Sequence, residues 1–255
     1  MAIKIAITNA KGGVGKTTTA VCLADALMYV GYDVLFLDLD PQMNSSKVYT
    51  GENDISEAKT LKNLIKGDNV NNCITKTDFG DIILGDQSLA DEEDTIYQMA
   101  RKNLGKLRKS LEKIEDNYDF IMIDTPPNVG TWMRSALYAA DGIVIPFNAK
   151  TFAVDGLGWL LETIDKIKES GNPNLKIYGG VLTFYDRRNR QDREIAKALP
   201  ALGKALKFHT FSTHINTCQD IENTIAEGVS LFRSKGNSTG AVDYVHLLHE
   251  LLKEV

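Results

Sequence analysis

Lys11-Gly12-Gly13-Val14-Gly15-Lys16-Thr17-Thr18 gathers two lysines, three glycines and two hydroxyls into one short stretch near the start of the chain. Glycines let a backbone curl until successive amides point at one anion, and a helix that starts at once adds the positive end of its dipole. In that setting Lys16 reaches the β- and γ-phosphates of a nucleoside triphosphate, and the Thr17 hydroxyl ligates Mg²⁺. The pattern departs from the strict phosphate loop at one position, where Ala10 stands in place of a glycine. A glycine turn that merely precedes Lys and Thr would not need a strand before it and a helix after it. Both are legible here.

Acids end two further apolar runs. Leu37-Asp38-Leu39-Asp40-Pro41-Gln42 closes one, and Phe120-Ile121-Met122-Ile123-Asp124-Thr125-Pro126-Pro127 closes the other. Carboxylates at the carboxyl edge of a parallel sheet sit where α/β proteins carry out chemistry. Asp38 and Asp40 are suited either to capping the next helix or to serving the phosphate loop. Asp124, after four hydrophobic residues, is placed to hold Mg²⁺ through water or through Thr17. The prolines beside it stiffen the loop.

A third feature is basic. Arg187, Arg188, Arg190 and Arg193 fall within seven residues of a chain whose net charge is −5. One reading is a solvated helix start paired with Asp186, Asp192 and Glu194. The other is contact with phosphate backbones, independent of sequence and sensitive to salt. Arg101, Lys102, Lys106, Arg108, Lys109 and Lys113 offer a second basic surface, equally compatible with a solvated face.

The elements that must position these groups follow from periodicity. Strands are expected at Ile3 to Thr8, Val34 to Leu39, around Ile82 and Ile83, and at Phe120 to Ile123, Gly142 to Pro146 and Ile177 to Thr183. Helices are expected at Thr17 to Val30, closed by Gly31, and at Leu104 to Ile114, Trp132 to Ala140, Phe152 to Ser170, Arg193 to Leu202 and Ala241 to Val255. Strand and helix alternate, which implies βαβ units. The expected fold is α/β, a doubly wound, mostly parallel central sheet with helices on both faces, in one domain over residues 1–255. The polar stretch from Gly51 to Asp94 reads as loops.

At 255 residues, 43% hydrophobic and 25% charged, the chain can bury one large core. No apolar run approaches a membrane span. The apolar start, Met1 to Ile7, carries Lys4 and runs into the glycine loop, so it reads as a strand and not a signal peptide. Cys22, Cys73 and Cys218 lack CxxC spacing, which excludes a disulfide framework or zinc site and fits a reducing cytoplasm.

Lys-Gly-Gly-Val-Gly-Lys-Thr, with its additional Lys11, resembles the deviant phosphate-loop ATPases. Lys11 to Thr19, Asp38 to Gln42, Tyr118 to Gly130, Ala139 to Pro146, Phe152 to Glu162 and Gly180 to Asp186 resemble the ParA partition ATPases over nearly the whole chain. The resemblance implies binding and slow hydrolysis of ATP with Mg²⁺, the nucleotide being held by Lys11, Gly12, Gly13, Val14, Gly15, Lys16, Thr17 and Thr18. Lys11 is implied to reach across an ATP-dependent homodimer, and with Lys16 and Asp40 to form the catalytic set. Asp40 would orient or deprotonate the attacking water, and Asp38 would support Mg²⁺ or the loop. The implied metal set is Thr17, Asp38, Asp40 and Asp124. Non-specific DNA and a centromere-binding, ParB-like activator are the implied partners, and the implied location is the cytoplasm and the nucleoid.

Related branches differ in identifiable ways. Cluster-ligating cysteines are missing between Asp124 and Ala140, and the tail Tyr244 to Val255 lacks the basic face of a membrane helix, so no membrane partner is expected. Ten residues precede Lys11, which fits the short partition type without a helix-turn-helix. Arg188 matches an arginine that short partition ATPases place on DNA, with Arg187 and Arg190 beside it. A second family arginine is missing from Ile215 to Asp220. A positioning or regulatory ATPase acting on a protein assembly is the alternative.

Overall fold

The computed structural model describes residues 1–51, 55–91, 95–149 and 154–255. Eight strands form one sheet: β1 (Ile3–Ile7), β2 (Val34–Asp38), β3 (Thr75–Lys76), β4 (Asp81–Ile83), β5 (Phe120–Asp124), β6 (Gly142–Asn148), β7 (Lys176–Tyr185) and β8 (Thr210–Asn216). Their spatial order is β3-β4-β2-β5-β1-β6-β7-β8. Among the described residues, only the short β3–β4 pairing is antiparallel.

Helices α1 (Lys16–Tyr29), α2 (Asn44–Thr50), α3 (Leu61–Lys66), α4 (Thr95–Lys102), α5 (Lys106–Leu111), α6 (Thr131–Ala139), α7 (Val154–Ser170), α8 (Arg190–Leu206), α9 (Gln219–Glu227), α10 (Leu231–Lys235) and α11 (Thr239–Leu251) surround the sheet. The doubly wound α/β fold is thus observed. Of the helix expected from Phe152, residues 152 and 153 lie outside the described residues.

Continuous apolar runs become central strands because both faces are covered. In β2, Leu35 and Leu37 join one core layer while Val34 and Phe36 join the other. In β5, Ile121 and Ile123 are separated in the same way from Phe120 and Met122. Adjacent side chains point to opposite faces, so every position of these runs needs an apolar residue. Parallel register then sets Asp38 opposite Asp124, and Asp124 opposite Ile7. The two acids and the start of the glycine loop therefore lie level at one sheet edge.

Several elements differ from the expectation. Besides β4, expected around Ile82 and Ile83, the stretch read as loops contains α3 and β3, with Thr60 capping α3 through a reciprocal bond to Asn63. The helix expected over 104–114 is shorter, α5 at Lys106–Leu111, and the basic residues Arg101 and Lys102 belong to the separate preceding helix α4. Helix α8 is longer than expected and carries Pro200 inside it. Helix α11 buries Tyr244, Leu247, Leu248 and Leu251 on one face and leaves Val242, Val245, His246 and His249 exposed. Among the described residues, no helix is long and apolar enough to cross a membrane.

Candidate nucleotide-binding site

The glycine loop crosses from β1 to α1 with Gly13 and Gly15 at φ of 68° and 81°. Residues with a Cβ rarely adopt this left-handed region, so the glycines permit the turn. Side chains from neighbouring strands pin its outer side. Asn9 Nδ2 donates to the Pro146 carbonyl and its Oδ1 accepts from Lys11 N. Asn148 Nδ2 donates to the Gly13 carbonyl at 2.9 Å, and Thr183 Oγ1 donates to the Val14 carbonyl at 2.9 Å. These carbonyls are tied outward, and α1 starts immediately at Lys16 with its N-terminal amides facing the loop.

Lys16 is buried and its Nζ donates to the Lys11 carbonyl at 2.9 Å. Burial lowers its pKa, and the charges of Asp124 and Asp40 partly offset that. Thr17 Oγ1 donates to Asp124 Oδ2 at 2.7 Å, while the other oxygen of this fully buried carboxylate has no hydrogen-bond partner. Burial first, and then the charge of Asp38, push the Asp124 carboxyl up to about 8. A buried acid with an orphaned oxygen beside a threonine hydroxyl is chemically suited to a hard, oxygen-seeking cation. Mg²⁺ fits this donor pair, and a triphosphate fits the glycine loop.

The acids of the expected metal set have different hydrogen-bond partners in the structure. Asp38 Oδ1 accepts from Asp40 N at 3.0 Å, and Oδ2 accepts from Ser46 N at 2.9 Å and Ser46 Oγ at 2.7 Å. Asp40 Oδ1 accepts from Gln42 N. Among the described residues, no group of three or more His, Cys, Asp or Glu side chains is placed to hold a metal ion. Both Asp38 oxygens accept hydrogen bonds from residues 40 and 46, which holds this loop in place. Ser46 Oγ also accepts from Gly85 N, linking this loop to the end of β4. Asp40 lies beside Pro126, Pro127 and Asn128 in a cavity of about 210 Å³, so the two acid-bearing loops meet. Lys11 is exposed.

Next to the loop is an apolar cavity of about 380 Å³. Its walls include Gly15 and Thr18 from the loop, Phe184 near the end of β7, Ile215 and Cys218 at and after the end of β8, and Tyr244 from α11. Its size and apolar walls suit a planar nucleobase. Sequence reasoning reaches only the loop residues of this cavity. Thr183 and Phe184 lie within a stretch that resembles the partition ATPases, but no spacing rule connects them with residues 215–226 or 244.

The arginines form a turn between β7 and α8. Arg188 binds Asp186 through Nε and Nη2, at 3.0 and 2.9 Å, and holds the Asp186 carboxyl down at about 2. Arg190 pairs with Glu194 at 2.7 Å. Asp192 accepts from Asp186 N, and Arg193 donates to the carbonyls of Arg187 and Arg188. Arg187, Arg188 and Arg190 are exposed. In α5, Arg108 pairs with Glu112.

A family model described as an AAA domain matches residues 2–177. The chromosome partitioning protein ParA of Caulobacter vibrioides is 40% identical over 202 residues, which cover 77% of this chain and 75% of that protein. The chain belongs to the ParA family. It is thereby a phosphate-loop ATPase by descent as well as by geometry. Among solved structures, a Mycobacterium smegmatis protein described as cobyrinic acid a,c-diamide synthase, with bound ATP analogue and magnesium, superposes with a TM-score of 0.81 at 27% identity, over 99% of this chain and 95% of that one. A Borrelia burgdorferi protein described as a plasmid partition protein, bound to AMPPNP, is 25% identical with a TM-score of 0.80 over the full length of both. The ParA-family chain shares with these the fold whose sheet edge assembles its loop, Asp38 and Asp124.

Proposed function

We propose that this chain is a Mg²⁺-dependent partition ATPase that dimerises with ATP, binds DNA without sequence preference and hydrolyses slowly until a partner protein stimulates it. The observation that carries the reading is the Thr17–Asp124 pair with its orphaned carboxylate oxygen, set beside the glycine loop and Lys16. Lys16 leaves the Lys11 carbonyl and places its ammonium against the β- and γ-phosphates. Thr17 and Asp124 hold the metal, which supplies Lewis-acid charge where negative charge builds up. Asp40 orients the attacking water and accepts its proton, while its own backbone is fixed by Asp38. Lys11 extends toward the triphosphate of a second copy, so that dimerisation depends on ATP. The loop amides and α1 stabilise phosphate oxygens without having to reorganise.

The arginine turn is the DNA-facing element, with Arg187, Arg188 and Arg190 meeting phosphates. A protein assembly in place of DNA is the second reading. Support for it comes from the internal pairing of Arg188 with Asp186 and of Arg190 with Glu194, which reduces the charge offered to a polyanion. A salt titration of duplex binding with ATP, ADP and no nucleotide tests the choice. DNA binding only with ATP is expected. Its log–log salt slope should fall by about 0.9 for each phosphate that Arg187→Ala/Arg188→Ala/Arg190→Ala no longer neutralises. Absence of ATP-dependent DNA binding at low salt would favour the protein assembly.

A further inference from the structure

The end of β7 lies between two cavities, which share Phe184, Asn216 and Thr217. Thr183 Oγ1 ties β7 to the phosphate loop through the Val14 carbonyl and lies within reach of the Phe147 carbonyl of β6. Phe184, next along, has a φ of 52°. Three non-glycine residues among those described are left-handed: Met43, Phe184 and Lys207. Met43 and Lys207 are helix caps, so Phe184 alone of these three adopts the conformation within a strand. Bulky residues take it only where the surroundings impose it.

The Phe184 ring is 41% exposed and yet rests on the phosphate loop. A Cβ added to Gly15 would lie 3.2 Å from its Cε2. The ring borders the apolar cavity with Thr18 and Tyr244, and also a polar cavity of about 720 Å³ with Arg187, Arg188 and Asn216. Beyond it the turn is held by its own hydrogen bonds. Asp192 holds Asp186 N, Asp186 holds Arg188, and Arg193 ties the carbonyls of residues 187 and 188 to α8. Phe184 is thus the left-handed residue between loop-bound Thr183 and this hydrogen-bonded turn.

We infer that Phe184 relays occupancy of the base cavity to the arginine turn: a nucleobase stacked on its ring fixes the orientation of residues 185–193. This rests on the reading that the loop binds Mg·ATP. Filling the loop with phosphates alone leaves the ring without a stacking partner and the turn unfixed. Phe184 is a positioning residue, acting through the turn.

Hydrogen exchange of the full chain, with Mg·ATP or with Mg²⁺ and inorganic tripolyphosphate, separates the possibilities. In the wild type, ATP should protect both residues 12–18 and residues 185–193, whereas tripolyphosphate should protect only the loop. Phe184→Leu keeps a similar volume without the aromatic face. It should lose ATP protection of the turn, retain loop protection, and bind ATP about tenfold more weakly, within the range for base–aromatic stacking. Its affinity for tripolyphosphate should not change, and Phe184→Tyr should restore both effects. Protection of the turn by tripolyphosphate, or full ATP protection of the turn in Phe184→Leu, would overturn the relay. Failure of ATP to protect residues 12–18 in the wild type would overturn the nucleotide reading itself.

Discussion

The two ends of the sheet edge are built differently. At β1, β2 and β5 the chain turns within a few residues from buried runs to a glycine loop and three acids, and several of these groups have local partners, although Thr17 reaches Asp124 and the loop is pinned by Asn148 and Thr183. Asp38 binds residues 40 and 46, and Lys16 binds residue 11. At β7 and β8 the cavity beside the loop is assembled from residues between 15 and 244, most of them apolar and none beyond the loop part of a short motif. Phosphate recognition needs fixed amides and charge, which a short continuous segment can supply. A shaped apolar wall has to be collected from distant parts of the fold.

The largest test of this contrast is Asp40→Ala. Loss of the water-orienting acid should lower kcat by about 10²–10⁴-fold, the usual range for general acid–base catalysis. ATP affinity should be retained, since the phosphate and metal ligands are Lys16, Thr17 and Asp124. Steady-state kinetics beside equilibrium binding would show the separation, and a normal turnover rate would move the base elsewhere.

A smaller effect probes the far half. Cys218 lines the apolar cavity half-buried, whereas Cys22 and Cys73 are buried. N-ethylmaleimide should modify Cys218 first. ATP at ten times its Kd leaves about a tenth of the cavities open, so labelling should slow by about tenfold. Tripolyphosphate should leave the rate unchanged. Equal protection by both would place the thiol outside the base site.

Legibility follows the same division. Strands β2, β5 and most of β6 are readable in the sequence because burial on both faces forces apolar runs, and β1 is readable from its alternating β-branched residues despite Lys4. Strand β8 is not, because it lies at the sheet edge, and Thr-Phe-Ser-Thr-His-Ile-Asn buries only Phe211 and Ile215. Short α9 and α10 carry too few turns for a period to show. Among site residues, Lys16, Thr17 and Asp124 are placed by motif. The pinning roles of Asn148 and Thr183 are not, because a single hydrogen bond to a loop carbonyl leaves no spacing in sequence. Motif resemblance groups the acids into a shared metal set. Only the bonds from Ser46 and from Asp40 N reveal that Asp38 holds the loop in place.

The mildest effect is on stability. Burial and the neighbouring Asp38 raise the Asp124 carboxyl from a reference value of 3.8 to about 8. Between those values the folded chain binds more protons than the unfolded one, so stability should fall as pH rises from 3.8 toward about 8. Asp124→Asn should reduce that slope in denaturant melts, and Mg·ATP should oppose it in the wild type by favouring the charged form. A variant as pH-dependent as the wild type would remove Asp124 as the source.

Calorimetric titration of ATP into wild type and Lys16→Ala, each with and without Mg²⁺, tests the central claim most directly. The wild type should bind one ATP per chain, more tightly with Mg²⁺. Lys16→Ala should lose affinity on the order of a hundredfold, as expected when a charged hydrogen-bond donor is removed from a buried anion site. Lys16→Ala binding Mg·ATP within a factor of a few of the wild type would contradict the assignment of this loop as the triphosphate site.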